Sequence, residues 1–132
     1  MIRQSIGIDT SILVRLVTGE PPDIHAHCLR RLGELVDAGV EIFASNRVVG
    51  EAYVAIQHHY GASKENARAG LLAALTSGIV APLNGQAVLE ALSEACGPGL
   101  FDRLTVNDYS HVGLETFTLD RQMVSLPSTR LL

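Results

Sequence analysis

Four carboxylates stand where the chain leaves short apolar segments or breaks. Asp9 follows Ser5-Ile-Gly-Ile8, Asp120 follows Glu115-Thr-Phe-Thr118, Glu51 falls about one turn into the helix expected after Glu41-Ile-Phe-Ala44, and Asp102 follows the Gly97-Pro98-Gly99 break. In a parallel α/β sheet, ligands collect beyond the carboxyl ends of the strands, and acids in these four places converge there. Two carboxylates about 4 Å apart repel by roughly 4 kcal/mol at an effective dielectric of about 20, so the cluster calls for a cation or shared protons. Oxygen ligands without convergent His or Cys favour Mg²⁺ or Mn²⁺ over Zn²⁺. His58 and His59 do not change this, because adjacent residues on a helix point in different directions.

The elements that must position these acids are legible from spacing. An amphipathic stretch Ile12-Leu-Val-Arg-Leu-Val17 follows the first strand, with Thr10 or Ser11 as its cap, and Gly19 and Pro21-Pro22 break the chain. A helical period runs from His25 to Val36, and a strand follows at 41–44. Ser45 or Asn46 caps a helix from Arg47 to about Tyr60, and Ser63 opens another to Leu75. Ile79-Val-Ala81 reads as a third strand, Gln86 to Ala95 and Asp102 to His111 as helices, and Thr129 to Leu132 as an edge strand. Short strands alternating with helices predict a parallel sheet flanked by helices.

Composition narrows the class. The 132 residues suffice for one domain, and 47% hydrophobic against 18% charged residues excludes disorder by low hydrophobicity. No apolar run reaches the roughly 20 residues of a membrane span, and the first six residues lack the pattern of a signal segment, so a soluble, cytoplasmic protein is expected. Cys28 and Cys96 lack a metal-binding spacing and read as buried thiols. A net charge of −4 argues against a broad basic surface for nucleic acid, yet nine of the ten basic residues are Arg, suited to local phosphate contact. Ile12, Leu13, Leu16, Val17, Leu29, Leu32 and Leu35 exceed what one small sheet buries, which predicts a partner surface.

Ile8-Asp9-Thr10-Ser11, Glu51 within Val48-Val-Gly-Glu-Ala52, Leu100-Phe-Asp102 after a glycine turn and Thr118-Leu-Asp-Arg121 occur in an order that resembles the PIN-domain nucleases over nearly the whole chain. Within that family the chain resembles especially the VapC-type toxins of bacterial toxin and antitoxin pairs. Asp120 follows Asp102 by 18 residues with Gly113 between, which also matches the family pattern. The resemblance implies a PIN-like α/β fold: a small parallel sheet of four to five strands with helices on both faces. It implies Mg²⁺- or Mn²⁺-dependent hydrolysis of RNA phosphodiester bonds, with Asp9, Glu51, Asp102 and Asp120 as the acidic, metal-binding site. Asp120 is the least direct of the four. Thr10 or Ser11 and Thr118 would orient carboxylates or water. A homodimer and a cognate antitoxin, laying an apolar helix into a groove, are the implied partners.

Two residues depart from the pattern. Arg103 stands where relatives carry a small apolar residue, and Asp108 is an unmatched acid on the same helix. Arg15, Arg103 and Arg121 lie near the acids and are candidates for substrate phosphate. Simpler roles compete: Asp9 as a helix cap, Glu51 in a surface pair with Arg47, Asp102 as a first-turn acid, Asp120 as the cap of a short helix, and Asp108 as a solvated helix acid. Two other functions compete as well. A receiver-type phosphoacceptor domain requires paired acids after the first strand and a lysine after a late one, but the sole lysine, Lys64, falls in a middle helix. A catalytically silent PIN module would bind protein or RNA without cleaving it.

Overall fold

Residues 4–132 are described by a computed structural model. Residues 1–3, part of the stretch read above for a signal segment, lie outside it. In chain order the elements are β1 (Ser5–Gly7), α1 (Thr10–Thr18), α2 (Pro22–Asp37), β2 (Glu41–Ala44), α3 (Asn46–Tyr60), α4 (Lys64–Leu75), β3 (Ala81–Pro82), α5 (Gln86–Ser93), α6 (Leu100–His111), β4 (Thr116–Thr118) and β5 (Thr129–Leu131), with a 3-10 turn at Met123–Ser125. The class is α/β.

Local chemistry sets the helix ends. Ser45 Oγ accepts from the Val48 N–H at 3.3 Å and Ser63 Oγ from the Asn66 N–H at 3.0 Å, satisfying donors that the first turn leaves unpaired. Gly19 and Gly61 close α1 and α3 at φ 70° and 69°, where a side chain would be strained. α1 is capped by Asp9 itself, not by Thr10 or Ser11.

β1, β2 and β3 form a parallel sheet in that order, with Ser5 opposite Glu41 and Phe43 opposite Ala81. β3 begins at Ala81 rather than Ile79, because Val80 is buried in the core and the pairing register with β2 starts only at Ala81. Pro82 is tolerated because β3 is an edge strand.

One sheet of four or five strands is not what forms: β4 and β5 pair with each other in a second parallel sheet. The Thr116 N–H donates to Ser128 O at 2.8 Å, the Leu132 N–H donates to Thr118 O at 2.9 Å, and Arg130 pairs with Glu115 at 2.8 Å. Beneath this sheet Val106, Met123 and Leu126 make a small core of their own. The C-terminal strands therefore find both their ladder and their apolar support locally.

The main core gathers Leu13, Val49, Leu71, Val88 and Leu92, all fully buried, from α1, α3, α4 and α5. Gly70 lets α4 approach α1, since a Cβ there would stand 2.7 Å from Val17 Cγ1. Most apolar residues expected on a partner surface are spent here: Leu13 and Leu32 are buried, and Ile12, Leu16, Val17 and Leu35 pack against the core, leaving Leu29 exposed. Cys28 is half-buried, and Cys96 is exposed rather than buried. Among the described residues no helix is long and apolar enough to cross a membrane.

Candidate active site at the strand ends

The sheet presents one polar side chain two residues beyond the last residue of each strand: Asp9 after β1, Asn46 after β2 and Asn84 after β3. Neighbouring strands stand about 4.8 Å apart, so these three positions make a row across the carboxyl edge where parallel sheets bind ligands.

Over β1 the row meets α3. Thr10 Oγ1 donates to Glu51 Oε2 at 2.7 Å, joining the start of α1 to a helix 41 residues away, and Arg47 Nε donates to Glu51 Oε1 at 2.8 Å. Asp9 Oδ1 accepts from Ser11 Oγ at 2.5 Å and from the Ile12 N–H at 3.4 Å. The Ser11 hydroxyl, with backbone N–H groups at the helix start, holds the Asp9 carboxyl below its ordinary pKa against a smaller effect of desolvation. The Thr10 hydroxyl and then Arg47 hold Glu51 below its own, although the nearby charge of Asp9 pushes the other way. Both groups are exposed, and both remain ionised.

Asp102 and Asp120 make no hydrogen bond with Asp9 or Glu51 among the described residues. Asp102, in the first turn of α6, shares a shallow depression with Val54, Gln57, His58 and Lys64. Those α3 residues lie one to two turns beyond Glu51, or about 5–10 Å along the helix axis. Asp120 Oδ1 accepts the Gln122 N–H at 2.9 Å and caps the turn into Met123–Ser125, while the Asp120 N–H donates to Thr118 Oγ1 at 3.0 Å. Thus Thr118 holds the backbone of Asp120 just past the end of β4. Among the described residues no three His, Cys, Asp or Glu side chains are grouped to hold a metal ion. The Asp9 and Glu51 carboxylates are of the type that hold a hard cation which takes one or two carboxylates and keeps its waters.

Arg103 does not reach the acids. Its Nε donates to Pro98 O at 2.9 Å and its Nη2 to Cys96 O at 2.7 Å, so the guanidinium holds the Gly97-Pro98-Gly99 turn. Arg15 and Arg121 make no ion pair among the described residues.

Over β2 and β3 the structure assembles a cluster that motif reading missed. Asn46 Nδ2 lies 2.7 Å from Asn107 Oδ1, 2.9 Å from Asp108 Oδ1 and 3.3 Å from Leu104 O. Asn84 Nδ2 lies 3.0 Å from Asn107 Oδ1 and 3.1 Å from Asp108 Oδ1. Asp108 is thus no merely solvated helix acid: it ties α6 to two strand ends. The signal was present in the row of Asp9, Asn46 and Asn84, but attention to carboxylates alone passes over amides.

No family model matches the chain, and neither the curated proteins nor the solved structures yield a match.

Proposed function

We propose that the protein is a PIN-type, Mg²⁺- or Mn²⁺-dependent ribonuclease, similar to the toxin of a toxin and antitoxin pair, acting at the carboxyl end of β1. The observation that carries this reading is the Thr10 to Glu51 hydrogen bond, which brings two of the four acids of the sequence pattern onto one edge of the sheet. Asp9 and Glu51 would hold the cation. When bound, it supplies a water of lowered pKa and stabilises charge developing on the phosphate. Ser11 would fix the Asp9 carboxyl through Oδ1, and Thr10 would hold Glu51 through Oε2 while the cation is bound. Arg47, already on Glu51, is placed to turn toward an incoming phosphate.

The test is cleavage of a panel of structured RNAs in Mn²⁺, in excess chelator, and by Asp9→Asn. Asn caps a helix as well as Asp, so this variant keeps α1 while removing one charge. Cleavage should fall by orders of magnitude in both controls. Full activity in chelator, or in Asp9→Asn, overturns the mechanism.

A second reading, a catalytically silent module, is favoured by the Arg47 charge on Glu51 and by the lack of any group of three metal-ligating side chains among the described residues. It expects RNA binding without cleavage under every metal condition.

A further inference from the structure

A cleft of about 410 Å³ opens between α5, α6 and the segment 126–128, and none of the four predicted acids lines it. Its size is within the range of ligand-binding pockets. Three observations converge on it. Ala91, Val106 and Leu126 give it a buried apolar floor. Glu90, on α5, and Glu94, just past its end, both line the cleft and stand exposed, and neither has an ion-pair partner among the described residues. The opposite lip carries Ser128 at φ 59°, the sole non-glycine residue with positive φ among those described. Such strained backbone persists where surrounding contacts enforce it, and here Thr129 Oγ1 does so by donating to Met123 O at 3.1 Å and also to Leu126 O.

We propose that this cleft binds a basic, amphipathic peptide segment of a partner protein, one apolar side chain entering the floor and flanking Arg or Lys residues meeting Glu90 and Glu94. Two uncompensated carboxylates on one cleft favour a cationic occupant, and no ion pair engages either among the described residues. Arg103 lines the same cleft, but its guanidinium is drawn to the carbonyls of Cys96 and Pro98. The acidic rim repels phosphate, which argues against nucleic acid or an anionic lipid surface as the occupant, and the chain's net charge of −4 favours a cationic one. The inference does not depend on the nuclease reading.

The experiment is an amide NMR titration of the full chain with acetyl-Arg-Leu-Arg-amide. Saturable shifts are expected at 87–94, 103–110 and 126–128, with Asp9 and Glu51 unmoved. The double variant Glu90→Gln, Glu94→Gln alters only exposed side chains and should keep the spectrum of the folded protein. It should bind about fivefold more weakly, the expected loss of two exposed ion pairs. Acetyl-Arg-Gly-Arg-amide, which lacks the apolar anchor, should also bind more weakly. Absence of saturable shifts, shifts centred on Asp9 and Glu51, or equal affinity for the double variant overturns the proposal.

Discussion

Asp9 uses Oδ1 to close the first turn of α1, while its proposed chemistry rests on the charge of the carboxylate, so its structural and its proposed chemical roles draw on different properties of one group. The same division explains why substitutions separate them. Asp9→Ala should lower the melting temperature through loss of the cap, whereas Asp9→Asn should hold it while removing cleavage. Glu51 offers a second test, because its carboxyl is kept ionised first by the Thr10 hydroxyl and then by Arg47. Thr10→Val should raise the Glu51 midpoint toward its ordinary value, followed by carbon NMR of the carboxyl, and an unmoved midpoint would show that Thr10 does not set it. The sign for stability follows from the direction of both shifts. A lowered folded pKa contributes stability above the unfolded value and loses it as pH falls through the folded one, so neither acid makes stability depend on pH between about 5 and 8.

At the scale of elements, the hydrogen bonds from Asn46 decide how α6 sits. Asn46 is only 5% exposed, and its amide meets α6 at Leu104, Asn107 and Asp108. Asn46→Ala removes those bonds and should cost about 1–3 kcal/mol, read from chemical denaturation. A change no larger than that of an exposed substitution would show that the amide cluster carries no weight. The elements themselves were legible because each announces itself locally: Ser45 and Ser63 are caps, Gly19 and Gly61 are stops, and the apolar period of 25–36 falls within α2. The pairing of the strands was not. Strand patterns at 115–118 and 129–132 are equally compatible with a ladder to β1 and with one to each other, and that choice depends on the packing of Met123 and Leu126 against Val106. The same holds for the site. Spacing puts Asp9 just past β1 and Glu51 about one turn into α3, whereas where Asp102 and Asp120 lie depends on how α6 and β4 sit, which no local signal reports.

For the whole molecule, burial is uneven. Leu71 is fully buried in the main core, and Leu71→Ala should cost about 2–5 kcal/mol and lower the melting temperature by about 5–15 °C. A shift within that of a surface variant would contradict the packing described. The C-terminal sheet is held otherwise: its apolar cluster among the described residues is Val106, Met123 and Leu126, while Phe117, Leu119 and Leu132 are largely exposed. A unit with so small a core opens on its own before the rest, as a separate cooperative segment. The amides of Thr116 and Leu132 should therefore exchange with deuterium at a lower free energy than the Ile8 amide bonded to Phe43 O, and their exchange should respond to denaturant with the small slope of local opening. Since Asp120 is held by that segment, every such excursion carries Asp120 with it while Asp9 and Glu51 stay in register.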